Sequence, residues 1–176
     1  YRSITFNQSG FNVDSNTGQP GHATVWLSKI GDFHLNYHRP LPNDADITQV
    51  ILKKQKTGAW TISISVNYDA NYPDPPAIDS INPADTVGID LGITKFIHDS
   101  TGRAVLPLDE EQDRRRIEKR HRAVSRKEYE SSNWDKARQR LAKAYARLTN
   151  RRDDFMEKLA HDYTTAYDAV FLENLD

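Results

Sequence analysis

The sequence predicts an α+β protein in two parts: a small β-barrel or sandwich over residues 1–80, and a second domain over 81–176. In the second, strands lead into a long basic helical hairpin at 109–166 and return to a strand. Three observations carry that expectation. Short alternating apolar segments separated by turn residues fill the first part. Four prolines between Pro73 and Pro83 remove backbone donors and mark a linker, with a domain boundary near residue 80. Beyond residue 109 the apolar spacing changes from two to three, four and seven, the period of helices.

In the first part, strands are expected at 2–6, 23–27, 33–37, 50–52 and 60–66, the last being the strongest alternation. Lys56-Thr57-Gly58 supplies a turn that joins the last two as a hairpin. Lys53, Lys54 and Lys56 stand beside Trp60, an arrangement that suits a nucleic-acid backbone with the indole as a stacking surface. Composition alone favours the plainer alternative, with Trp60 packed in the barrel and the lysines keeping an edge from pairing.

The second part opens on Thr86-Val87-Gly88-Ile89-Asp90-Leu91-Gly92-Ile93, where Val87, Ile89 and Leu91 alternate with Gly88 and Asp90 as in a strand with one face on a core. A carboxylate buried near the end of such a strand needs a cation or hydrogen bonds to compensate it; a turn-capping Asp is the simpler alternative. At the far end the apolar run 169–172 stops on Glu173. Two strands that each end in an acid can bring two carboxylates to one sheet edge, where oxygen ligands share hard divalent cations.

Between them, 94–98 and 103–106 read as a hairpin turning at Asp99-Ser100-Thr101-Gly102, and Pro107 stops it. Helix is expected from Asp109 to Glu130, with a break at 131–133, and then on to Ala166. Asp109, Glu110 and Glu111 suit the positive end of the first helix dipole. Leu141, Tyr145, Leu148, Phe155, Leu159 and Tyr163 form the stripe of the second helix, and Ile117 and Val124 a thinner one on the first.

Charge is divided unevenly. The net charge is -1, yet residues 114–152 hold 15 Lys or Arg against 4 acids, and the remainder holds 9 against 21. A one-sided excess of this kind points to a polyanion. The candidate nucleic-acid contacts are Arg114, Arg115, Arg116, Lys119, Arg120, Arg126, Lys127, Arg138, Lys143 and Arg151, together with Lys53 and Lys54. They are expected to face outward, since a merely solvated face mixes signs at i, i+4. The acidic remainder suits a prokaryotic cytoplasm of high salt, where surface charge is screened. With no cysteine, disulfides and thiolate metal sites are excluded. No apolar run approaches a membrane span. A chain that opens on Tyr1 is expected to be a piece of a longer protein.

Val87-Gly88-Ile89-Asp90-Leu91-Gly92, the hairpin to Gly102, Arg140-Leu141-Ala142-Lys143, Asn150-Arg151-Arg152-Asp153-Asp154-Phe155 and Phe171-Leu172-Glu173-Asn174-Leu175 occur in that order. Together they resemble the TnpB (OrfB) proteins of insertion sequences, relatives of type V CRISPR effector nucleases. The resemblance implies a wedge-like β-barrel followed by a RuvC-like nuclease of the RNase H fold. It also implies a guide RNA from the transposon end, a DNA target and a two-metal Mg²⁺ site. Asp90 and Glu173 match the first catalytic Asp and the catalytic Glu of the family. The third Asp and a zinc finger are expected beyond Asp176, so the chain alone is expected to cut poorly or not at all. Gly88-Ile89-Asp90-Leu91-Gly92 also resembles the first phosphate loop of actin-like and chaperone-type ATPases, although no second loop follows. A nucleic-acid-binding module without chemistry is the remaining alternative.

Overall fold

Ten strands and two helices are present in the computed structural model, which describes residues 2–15, 21–38, 40–42, 44–70, 72 and 74–173. Asn71 and Pro73 of the expected linker, and Asn174, Leu175 and Asp176 at the end of the family motif, lie outside the described residues. Contacts divide the chain into two units, Tyr1–Pro73 and Asp74–Asp176.

The first unit holds β1 (Arg2–Asn7), β2 (Phe11–Asp14), β3 (His22–Leu27), β4 (Gly31–Asn36), β5 (Asp46–Lys54) and β6 (Trp60–Asn67). They form two antiparallel sheets, β1-β5-β6 and β2-β3-β4. Period-2 alternation points one face of each sheet inward. Phe6, Val25, Leu27, Val50 and Leu52 meet there in one core, with Phe11, Val13, Phe33, Leu35, Ile62 and Ile64 around it. Val25, Leu27 and Val50 are fully buried, each contributing about 1.5–3 kcal/mol relative to exposure. Strand β2 goes unpredicted: it is four residues long and follows Gln8, whose φ of 47° gives the segment a turn's character.

Trp60 does not pack in this core, contrary to the plainer expectation. It is 53% exposed: it is the first residue of β6, at the end of the strand, where it pairs with Lys54, whose ammonium lies 5.5 Å from the indole centroid. The ring lines a groove of about 640 Å³ between β4 and β6, with His34, Tyr37, His38 and Leu41.

The second unit begins with two short 3-10 turns, Ile78–Ser80 and Pro83–Asp85, in place of a featureless linker. The second is capped by Asn82, whose side-chain oxygen accepts from the Ala84 N–H at 3.1 Å. Then come β7 (Thr86–Leu91), β8 (Ile97–Asp99), β9 (Ala104–Val105), α1 (Glu111–Ser125), α2 (Ser132–Ala166) and β10 (Ala169–Leu172). The sheet order is β10-β7-β8-β9, with β7 antiparallel to β8 and parallel to β10. Parallel neighbours need a crossover, which the helical hairpin supplies.

Helix α1 is shorter than expected, starting at Glu111 and ending at Ser125 rather than Glu130. The chain needs residues 126–131 to reverse direction, with Glu130 in left-handed backbone at φ 59°. Helix α2 restarts at its Ser131 cap, where the hydroxyl accepts from the Trp134 N–H at 3.2 Å. The α2 stripe changes partner along its length. Leu148, Ala144 and Leu141 pack against Ile117 of α1, whereas Leu159, Tyr163 and Phe155 pack against Val87, Ile89 and Ile97 of the sheet. Tyr145 departs from the expected stripe: it is 47% exposed, with its hydroxyl 2.7 Å from His121 Nε2.

Candidate active site and nucleic-acid interface

Asp90 occupies the fifth position of β7, and its alternation places it on the face opposite Val87 and Ile89. It is exposed, so the burial cost expected for it does not arise. Glu173 follows β10 directly and is also exposed. The parallel register pairs Val170 with Val87 and Leu172 with Ile89. One residue further on, Glu173 is level with Asp90. The two acids therefore stand on adjacent strands at the carboxyl ends of a parallel pair, where open α/β sheets place their ligand sites. His98 faces Asp90 across the antiparallel pair on the other side.

Contacts at both ends fix this edge. At the amino ends of β7 and β10, the Asp168 N–H donates to the Asp85 carbonyl at 2.9 Å. At the carboxyl end β7 turns tightly into β8, with the Gly92 N–H donating to the Phe96 carbonyl at 3.3 Å. A Cβ at Gly92 would lie 2.9 Å from the Lys95 carbonyl oxygen, closer than backbone tolerates. A Cβ at Gly88 would meet only the Ser100 side chain, at 3.8 Å. Gly92→Ala is therefore expected to destabilise the second unit by about 1–3 kcal/mol, and Gly88→Ala to change little. Thermal denaturation of the two variants checks the contrast, which equal melting temperatures would refute.

Beneath the edge lies a buried acid that the sequence does not single out. The Asp99 carboxylate accepts from the Thr101 N–H at 3.0 Å, the Thr101 hydroxyl at 2.7 Å, the Arg103 N–H at 2.9 Å and the Tyr163 hydroxyl at 2.8 Å. Burial raises its pKa, but the hydrogen bonds from Thr101, Tyr163 and Arg103 outweigh burial and hold it below the ordinary carboxylate value. Burial and the bond to Asp99 push the Tyr163 phenol up to about 12. Asp99 is thus the bolt between the β8–β9 turn and α2. Eight residues back along α2, the Phe155 ring meets Phe96 in the turn after β7, at 5.5 Å between centroids. So α2, traced from its C-terminus, runs toward the edge that carries Asp90 and Glu173, and the hairpin projects past it.

The cations of the hairpin fall into two groups. At its base, Asp113 of α1 is 3% exposed and faces three guanidinium groups. Arg151 donates to it directly, and Arg116 and Arg147 lie at 3.6 Å. Glu110 accepts from Arg152 and Arg114. The Arg152 bond, opposed by burial and assisted by Arg114, lowers the Glu110 carboxyl to about 2. Arg115 pairs with Glu111, and Arg122 with Glu118 at 3.1 Å.

Arg114, Arg115 and Arg116 are exposed as expected, but not for want of acids. Glu110, Glu111 and Asp113 lie just ahead of the basic run and neutralise Arg114, Arg115, Arg116 and Arg151. Arg138 stacks on Trp134 at 4.4 Å and lies 3.9 Å from Asp135. By contrast, Lys119, Arg120, Arg126, Lys127 and Lys143 have no ion pair among the described residues. Lys136 and Arg140 share that state; the sequence offers Arg140 only within the motif Arg140-Leu141-Ala142-Lys143 and does not mark Lys136. Lys53 and Lys54 belong to the first unit.

The second unit thus joins a parallel strand pair by a basic helical crossover. The family model OrfB_IS605, described as "Probable transposase", matches residues 63–176, and the chain belongs to this family, that of the TnpB proteins. It is 36% identical over 146 residues to a Streptomyces pristinaespiralis protein named "Putative RNA-guided DNA endonuclease", covering 80% of this chain and 34% of that one. It is 23% identical over 155 residues to the Escherichia coli K12 protein "Putative RNA-guided DNA endonuclease InsQ", covering 88% and 36%. The chain thus spans about a third of the length of the curated relatives it matches. No helix of the described residues is long and apolar enough to cross a membrane.

Among the described residues no group of three or more His, Asp or Glu side chains gathers as a metal site. Two exposed carboxylates level on adjacent strands nevertheless fit magnesium, an oxygen-seeking ion held by one or two carboxylates with water and substrate phosphate completing its shell.

Proposed function

We propose that the chain is the part of a transposon-encoded, RNA-guided DNA endonuclease that contributes Asp90 and Glu173 to a RuvC-like site of the RNase H type. In this reading the first unit is its wedge-like β-barrel. One observation supports the proposal: the β7–β10 register pairs Leu172 with Ile89, which makes Glu173 and Asp90 the next residues of two parallel neighbours at their carboxyl ends. Family membership and the names of the relatives support DNA as target and RNA as guide.

Asp90 and Glu173 would hold Mg²⁺, with a third carboxylate supplied from outside the chain. Bound there, magnesium supplies the positive charge that activates water and stabilises the departing oxygen in phosphodiester hydrolysis. The residues of the chain do the positioning: Gly92 keeps the turn beside Asp90 tight, and Asp99 ties the β8–β9 hairpin to α2. The unpaired cations of the projecting hairpin draw the nucleic acid to that side of the sheet.

The test uses the complete protein with guide RNA, Mg²⁺ and a matched DNA target. Asp90→Ala and Glu173→Gln are each expected to reduce cleavage to background while guide-RNA affinity stays at the wild-type level. Cleavage retained by Glu173→Gln would remove Glu173 from the site, and retained by Asp90→Ala would end the nuclease reading.

A further inference from the structure

The hairpin tip differs from its base in both shape and charge balance. Arg120 and Lys127, from α1 and the turn after it, and Lys136 and Arg140 from α2 surround a hollow of about 150 Å³. Ala123, Ala137 and Asn133 complete its lining. The hollow exists because small side chains meet where longer ones would have filled the space between the helices. Its four cations have no ion pair among the described residues. Acids are nevertheless close in sequence. Glu128 and Glu130 lie in the adjoining turn, and Asp135 of α2 lies beside Arg138 instead, at 3.9 Å. Asn133 belongs to the first turn of α2, where the helix dipole adds positive potential.

Four like charges held around one cavity repel each other, and the arrangement is stable in proportion to the anion it recruits. The hollow is ringed by donors, guanidinium forks among them, that match phosphate oxygens. We infer that this hollow binds one backbone phosphate of a nucleic acid, so that the hairpin holds the strand at a fixed point and not only by diffuse attraction. The inference rests on the nucleic-acid reading above and adds the site and the residues. The base arginines, already occupied by Asp113 and Glu110, take no part in it.

Affinity of the full chain for an RNA of about 20 nucleotides, and for a DNA duplex of similar length, is to be measured between roughly 50 and 200 mM salt. The variant Lys136→Gln/Arg140→Gln is compared with Lys29→Gln/Lys158→Gln, which removes equal charge elsewhere. The first is expected to lower the slope of log affinity against log salt by about one, the value for one lost phosphate contact. The second should leave the slope unchanged. Titration with inorganic phosphate should shift the Asn133 side-chain amide resonance in the wild type and not in Lys136→Gln/Arg140→Gln. The melting temperature of that variant should stay level or rise as repulsion is relieved. Equal slopes for the two variants, or an Asn133 resonance indifferent to phosphate, overturn the hollow as a site while leaving nucleic-acid binding intact. A wild-type chain that binds neither polymer overturns the underlying reading as well.

Discussion

Asp99→Ala is expected to destabilise the second unit by about 3–5 kcal/mol at neutral pH, because it strands several donors in or beside the core at once. The Thr101 and Arg103 N–H groups and the Tyr163 hydroxyl all lose their acceptor. Tyr163→Phe removes one bond and should cost about 1–2 kcal/mol.

The pH dependence separates the two partners. The folded pKa of Asp99 is lowered, so its contribution is present above the ordinary carboxylate pKa and is lost as pH falls through the folded value. Tyr163 is raised from 10.0 to about 12, so its contribution is present below 10.0 and is lost as pH rises toward about 12. Denaturant unfolding at several pH values should therefore show an alkaline loss in the wild type that is smaller in Tyr163→Phe. Superimposable alkaline limbs would mean that the phenol does not report on this bond.

Asp113→Asn comes next in size. The amide keeps the shape and one acceptor oxygen but removes the charge that Arg116, Arg147 and Arg151 face. Breaking a buried pair ordinarily costs about 3–5 kcal/mol. Here the guanidinium groups are between 38% and 62% exposed and can hydrate, so roughly 1–3 kcal/mol is expected, shrinking as salt screens their repulsion. The same substitution frees three cations beside the proposed nucleic-acid path, and non-specific affinity for DNA should rise as stability falls. A variant as stable as the wild type, with unchanged affinity, would show that Asp113 does not hold the base of the hairpin.

Periodicity made much of this fold legible. Val87 and Ile89 announce β7, and Ile62 and Ile64 announce β6, because alternation is a local property. The end of β10 was legible for the same reason: an apolar run that stops before Glu173 can be seen without knowing its neighbour. What local spacing hides is the partner across the chain. Arg151 finds Asp113 from 38 residues away. A charge count begun at Arg114 leaves that acid out, and makes a neutralised clamp look like free positive charge. Trp60 is a similar case, since alternation puts it in phase with Ile62 and Ile64 but does not show that the core ends before it. Asp99, a turn residue by sequence, became a core residue only when α2 brought Tyr163 above it.

The rod-like continuity of α2 sets a length scale. Its 35 residues run without interruption from the phosphate hollow to the sheet. From Arg140 to Phe155, where the helix reaches the turn after β7, the axial offset is about 22 Å at 1.5 Å per residue. At about 3.4 Å per nucleotide step along one strand, that is six or seven steps of duplex. A strand gripped at the tip would present to the acids a bond chosen by counting from the grip, and the protein would measure its substrate as a caliper does, by the stiffness of one helix.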